Sequence, residues 1–399
     1  MLTEKQLERY AEVLLWAMKT ARAKKFKKNN IVILRYHIPA IRLVEILSAR
    51  ILTMGMHPVQ RLMPTPVMEK NFYEFSNLGQ LEFTAPGEKK LYQNLNGSIF
   101  LYAPESITHL SGIDPRKVAK STIAKKFLRD ILDKREERGD FSWTLGVIPT
   151  KALADQARLS MKKYTYQIVN ACFLNRKSPV TEWQNIYKNI TRIKKWLNSM
   201  KIRCLHIASE NIDLEITPGD RRRWLGLSGH NIPSFETFLS PDWRGTKGVY
   251  YANQPSFRSG NYVSGVRLEF KKGSATSISA EKGEDFLKKQ LSMDRGANKV
   301  GEFSLTDKRF SRIRTFMANT LYDENYGGKY GNCHVALGSS YSDAYDGNPA
   351  ELTGVLKKKL GFNDSALHWD LVNTEPKRVT ARLTTGKKVT IYENGKFCF

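Results

Sequence analysis

A chain of 399 residues is longer than one hydrophobic core usually supports, so two domains are expected. Hydrophobic residues make up 41% and charged residues 26%, a globular balance that excludes a largely disordered chain. Lys and Arg outnumber Asp and Glu by 64 to 39, a net charge of +25 that keeps an anionic partner under consideration.

The first segment, MLTEKQLERYAEVLLWAMKTARAKK, carries Glu4, Glu8 and Glu12 along an apolar stripe. That suits an amphipathic helix over residues 2–25 and neither a signal nor a transit peptide. NNIVILRY reads as a buried strand entered by a turn, IPAIRLVEILSARILTMG as a helix capped by Gly55, and HPVQRLM as a second strand. GSIFLYAP is a third buried strand, STIAKKFLRDILDKREERGD a solvent-facing helix closed by Gly139, and SWTLGVIPT another strand. Such β-α-β alternation argues for a parallel sheet with covering helices. Residues 152–202 are helical again, through ALADQARLSMKKYTYQIVNACFL and TEWQNIYKNITRIKKWLNSM.

From CLHIASENIDLEI onward, and most clearly in VYYANQPSFRSGNYVSGVRLEF, Gly, Asn and Ser turns separate β-branched and aromatic runs, which is antiparallel strand chemistry. The expected fold is an α/β N-terminal domain with a parallel sheet, residues 1–205, followed by a β-rich α+β C-terminal domain, residues 206–399. No apolar run approaches the roughly 18 to 20 residues of a membrane span, so no membrane is expected. Cys172, Cys204, Cys333 and Cys398 form no CxxC pair or disulfide framework, which places the chain in a reducing compartment, the cytoplasm. The lysines are scattered on helix faces, as in ARAKKFKKNN, without a zinc-finger or RNP pattern. A solvated basic surface is the expectation, and nucleic acid is not an expected partner.

Chemistry-bearing residues concentrate in the second half. Glu236 in NIPSFETF, Glu302 in KVGEFSL, Glu324 in NTLYDENYGG and Asp370 in LHWDLV are acids in apolar or Gly-bounded settings, where an unpaired carboxylate is costly. Ion pairing, protonation or a metal would satisfy them. His368 and Asp370 are spaced i, i+2, so on a strand they share a face and both could reach one cation. Taken singly, the pair is more often a satisfied core contact, and His334 a hydrogen-bonded side chain at a strand edge.

Taken in order, NIPSFETF, GEFSLTD, NTLYDEN, CHVALGSSY and LHWD closely resemble the thermophilic-type metalloaminopeptidases of peptidase family M29, the aminopeptidase T and aminopeptidase S group. Those enzymes carry a PGGE segment, a GE segment, NTLFDEN, CHIALG with a tyrosine seven residues after its histidine, and a closing HxD. The resemblance implies a metal set of Glu236, Glu302, Glu324, His334, His368 and Asp370 around two divalent cations, zinc, cobalt or magnesium. It further implies Glu302 as the bridging carboxylate and a catalytic group, and Tyr341 as the catalytic tyrosine. Cys333 is expected to be a core residue facing away from His334. Three features depart from the family pattern: Ser234 and Phe235 stand where two glycines are usual, YGGKYGN replaces a very short link after DEN, and the charge is strongly basic.

The activity so implied is metal-dependent release of N-terminal residues from short peptides by a water activated between two cations, in a homodimer. The alternative is a catalytically inactive relative whose basic surface binds an anionic partner such as RNA.

Overall fold

The computed structural model describes all 399 residues except Ser259. The chain divides into two compact units, Met1–Trp183 with Ser228–Ile232, and Gln184–Leu227 with Pro233–Phe399. The division falls inside the helix Pro179–Ser199, and a short segment returns to the first unit; the change in sequence character near residue 205 coincides instead with the first strand of the second unit, Ile202–Ala208.

In unit 1 the strands Ile31–Tyr36, His57–Leu62, Leu95–Tyr102, Ser142–Val147 and Asn231–Ile232 form one sheet, parallel at every pairing. The helix Glu4–Thr20 opens on a capping box in which Thr3 Oγ1 accepts from Gln6 N and Gln6 Oε1 accepts from Thr3 N. It ends before the polybasic run rather than continuing to residue 25. Tyr10 on this helix donates to Val147 O and accepts from Val147 N, fastening the helix to a sheet strand. The expected single helix over 121–140 is two, Pro115–Ala124 and Lys126–Glu137, because Lys125 leaves helical geometry at ψ 0°. Three helices between Pro66 and Asn94 carry no buried apolar stripe, Leu81 alone being buried, which is why periodicity did not reveal them.

Unit 2 is antiparallel, in two main sheets. Among the described residues the larger has eight strands; the smaller places His368–Asn373, Asn332–Gly338, Val300–Thr306, Glu236–Leu239 and Leu225–Gly226 side by side. The apolar core lies between the sheets. Phe303, Leu305, Cys333, Val335, Leu337, Trp369 and Leu371 enter it from the smaller sheet, and Leu205, Leu214, Tyr250 and Leu268 from the larger. The buried Tyr250 hydroxyl crosses this core to donate to Leu371 O at 2.6 Å, locking one sheet against the other. Cys333 is fully buried there, as its alternation with His334 requires.

Candidate metal centre

Strand alternation sends the other residues of the smaller sheet to its opposite face, and every acid and imidazole singled out in the sequence on these strands lies there. His334 pairs with Ser304 and Val372, Ala336 with Glu302 and Asp370, Gly338 with His368, and Thr306 with Glu236. His334 therefore sits on an interior strand, not at the edge that its flanking sequence suggested.

Glu302 reaches this face only because of a β-bulge. The register advances between Val300, opposite Leu337, and Glu302, opposite Ala336, leaving Gly301 as the extra residue. Residues 300 and 302 would otherwise share a face; the bulge sends Val300 into the core and Glu302 to the cluster. A Cβ on Gly301 would lie 2.3 Å from Ser339 O and 2.4 Å from Gly338 O, so glycine is required by a close backbone approach. Nothing in the sequence marks Gly301 as a bulge; the GE pair reads there only as the setting of an acid.

His334 is fully buried, with Nε2 at 3.0 Å from Glu302 Oε1, 3.4 Å from Glu236 Oε2 and 3.7 Å from Asp370 Oδ1. The second oxygen of Glu302 lies 3.9 Å from His368 Nε2, which is 3.6 Å from Asp370 Oδ1. Glu302 thus presents one oxygen to each histidine. Ligand atoms of Glu236, Glu302 and His334 all lie within 4.8 Å of one another, enough to hold one cation; Asp370 and His368 adjoin this set. Glu324 stands at the C-terminal end of the short helix Thr320–Asp323, buried, with Oε1 3.3 Å from Asn325 Nδ2.

Neighbouring groups orient the donors. His368 Nδ1 donates to Ser339 O at 2.9 Å, which leaves Nε2 free to face Asp370 and Glu302. Ser304 Oγ donates to Glu236 Oε2 at 3.0 Å. Tyr341 follows a turn at Gly338, φ 104°, and its backbone N–H donates to Ser240 Oγ at 2.8 Å. Its ring meets His368 edge-on at 4.9 Å and Phe238 at 5.8 Å between centroids. Ser304, Ser339 and Phe238 carry no signal in a single sequence that would have assigned them to the site.

The charges are strongly unbalanced. Burial first, then Glu302 and Asp370, push the Glu236 carboxyl above its ordinary value against the opposing pull of His334. Burial, then Glu236, Asp370 and Glu302, hold Glu324 well above 4.5. Burial alone would lower both imidazoles, but Glu302, Asp370 and Glu236 raise His334 to about 9, and Asp370 with Glu302 raises His368 to about 9. Burial would raise Asp370, yet His368 and His334 bring it below 3.8. Without a cation, protons on the imidazoles are the counter-charge. A buried set of carboxylates and imidazoles fits hard or borderline divalent cations.

The family model for thermophilic metalloproteases (M29) matches residues 3–397. The chain belongs to the M29 metalloprotease family. It is 28% identical over 341 residues to aminopeptidase AmpS of Bacillus subtilis, with 80% of each chain covered. It is 28% identical over 242 residues to aminopeptidase T of Thermus aquaticus, covering 58% of this chain and 57% of that one. The solved structure of wild-type AmpT from Thermus thermophilus superposes with a TM-score of 0.82 at 21% identity, over 99% of this chain and 100% of that one, and shows the same fold. This M29 chain is accordingly a metal-dependent hydrolase with a parallel α/β N-terminal region and an antiparallel β-rich C-terminal region.

Gly301→Ala is expected to cost about 1 to 3 kcal/mol, the usual range for overpacking, and to weaken metal retention with it. Urea unfolding and metal analysis of the purified variant check this; wild-type values in both would remove the bulge from the account.

The two histidines also set a pH dependence. Their folded-state pKa values exceed the ordinary 6.5, so the stability they contribute to the metal-free protein is complete below pH 6.5 and lost as pH rises through about 9. Metal must displace the same protons, so its affinity rises across that window, with a slope of about one to two decades per pH unit. Calorimetric titration of chelator-treated protein at several pH values measures it, and an affinity that is flat or falls with pH contradicts the imidazole assignment.

Proposed function

We propose that this metallopeptidase is an aminopeptidase that removes N-terminal residues from short peptides at a pair of divalent cations, zinc, cobalt or magnesium. The observation that carries the reading is the disposition of Glu302, one oxygen 3.0 Å from His334 and the other 3.9 Å from His368. Such a placement between two imidazoles would suit Glu302 to serve two cations, with His334, Glu236 and His368 as further donors. Asp370 and Glu324 complete the donors. The names of the similar aminopeptidases support the same choice of substrate.

Bound cations lower the pKa of water and polarise the scissile carbonyl. Glu302 or, where both of its oxygens hold cations, a neighbouring buried carboxylate would take the proton of the attacking water and return it to the leaving amine. Tyr341 supplies a neutral hydrogen-bond donor. Desolvation first, then the carboxylates of Glu302, Asp370, Glu324 and Glu236, hold its phenol well above 10, although the residue keeps 46% of its surface exposed. At neutral pH its proton is therefore in place to stabilise a developing oxyanion.

No helix is long and apolar enough to cross a membrane, and a cytoplasmic location is proposed from the free thiols. A homodimer is proposed as well. Val67, Met68, Phe75, Leu78 and Phe83, all more than 60% exposed, crowd the helical segment of unit 1, and soluble monomers seldom concentrate large apolar residues so. Sedimentation velocity is expected to give twice the chain mass, with Phe75→Asp shifting it to the monomer; a monomeric wild type at micromolar concentration rejects the dimer.

The mechanism is tested by two substitutions. Glu302→Gln is expected to abolish turnover and reduce bound metal while leaving the fold intact. Tyr341→Phe is expected to keep metal and fold but lose roughly two to three orders of magnitude in kcat, with KM little changed. Full activity of Tyr341→Phe makes Tyr341 a packed aromatic; loss of metal from it makes Tyr341 a ligand or a support for one.

A further inference from the structure

Glu324 and Asp370 also line a half-polar cleft whose apolar wall residues are Pro255, Phe257, Ala318 and Val372. Its free volume is about 20 Å³, room for one water-sized group.

Both walls are braced. One is the hairpin of strands Ser256–Arg258 and Asn261–Val263. Ser256 Oγ accepts from Trp369 Nε1 at 2.8 Å, Arg258 Nη1 donates to His368 O at 2.9 Å, and Gln254 N donates to Val372 O at 3.2 Å, so the hairpin is tied to the strand that carries His368 and Asp370. The Phe257 ring is backed by Phe316, stacked at 6.3 Å, and by Tyr262, edge-on at 5.0 Å. The facing wall is a turn in which Ala318 adopts φ 49°, a left-handed conformation that a residue with a Cβ rarely takes. The buried Asp323 carboxylate accepts from Met317 N at 2.7 Å and from Asn319 N at 2.8 Å, holding that turn on both sides of Ala318.

We propose that this cleft receives the side chain of the peptide's first residue and limits it to the size of a methyl group, selecting alanine or glycine at the N-terminus. The inference rests on the aminopeptidase reading. In a peptide with a free amino terminus, the ammonium, the first side chain and the scissile carbonyl hang from one Cα atom. The carbonyl must face Glu302 and Tyr341, and the amino group, as the neutral amine, would lie beside the cations that Glu324 and Asp370 help to hold. Tyr341, with Phe238 and His368 against it, occupies the other flank of the cluster. The side chain is left the cleft beside Glu324 and Asp370. The carbons of Pro255, Phe257, Ala318 and Val372 favour a methyl, while each further methylene must displace a braced wall. One methylene in such a pocket discriminates by roughly ten- to 200-fold. Phe257 and Ala318 act here as specificity determinants and take no part in bond making.

The experiment compares glycyl, alanyl, leucyl and phenylalanyl p-nitroanilides with the metal-loaded enzyme. The expected result is a kcat/KM for the alanyl compound at least about tenfold above the leucyl one. Phe257→Ala is expected to shrink that ratio about tenfold by raising the leucyl rate. Ala318→Gly should shrink it too, and it guards against misfolding of the first variant, because glycine takes φ 49° without steric cost. Leucyl or phenylalanyl hydrolysis as fast as alanyl by the wild type overturns the proposal, as does an unchanged ratio in folded, metal-loaded Ala318→Gly. If the metal-loaded protein cleaves none of the four, the aminopeptidase reading fails and the specificity proposal falls with it.

Discussion

The constraint on which the second unit depends is the concentration of buried carboxylates around one imidazole. Glu236, Glu302 and Asp370 all approach His334 Nε2 within 4.0 Å, and Glu324 is buried with its carboxyl raised by the other three. Burying one carboxylate without a partner is already costly. Four together cannot all be ionised on the charge of two imidazoles, so the folded chain either retains protons or acquires cations. The sheet that presents these groups suits completion by a divalent metal.

That scaffold works through the period of two in a β-strand. On Asn332–Gly338, Cys333, Val335 and Leu337 enter the core while His334, Ala336 and Gly338 face the acids. The small residues matter as much as the histidine. Ala336 lies between Glu302 and Asp370 in register. Gly338 lies opposite His368, and its φ of 104° begins the turn that brings Tyr341 back beside that ring. One strand thereby specifies the core, the donor set and the return of the phenol.

Much of this was legible in the sequence because the signals were local. The i, i+2 spacing of His368 and Asp370 and the alternation of Cys333 with His334 are statements about one strand, and the β-α-β order of the first half is a statement about neighbours in the chain. What was not legible depends on pairing between distant strands. No single-sequence pattern places Gly301 against the carbonyls of Gly338 and Ser339, or Ser304 against Glu236. The helices from Pro66 to Asn94 escaped for a different reason: they bury almost nothing, so no apolar period marks them.

Two of the departures from the family pattern, Phe235 and the longer link after DEN, are tied in by two asparagine amides, the first being Asn325, the last residue of the DEN segment. Its Oδ1 accepts from Phe235 N at 2.6 Å, while its Nδ2 donates to Leu321 O at 3.0 Å and lies 3.3 Å from Glu324 Oε1. One amide therefore joins the backbone just before Glu236 to the turn that carries Glu324. The contact to residue 235 uses only its N–H, so glycine is not required there, and the Phe235 side chain is fully buried. The longer link after Glu324 is secured in the same manner: Asn332 Nδ2 donates to Tyr326 O at 2.6 Å and to Glu324 O at 3.1 Å, and Thr306 Oγ1 donates to Glu324 O at 3.3 Å. The added residues are spanned by a side chain at their far end, which ties the longer path back to the Glu324 carbonyl.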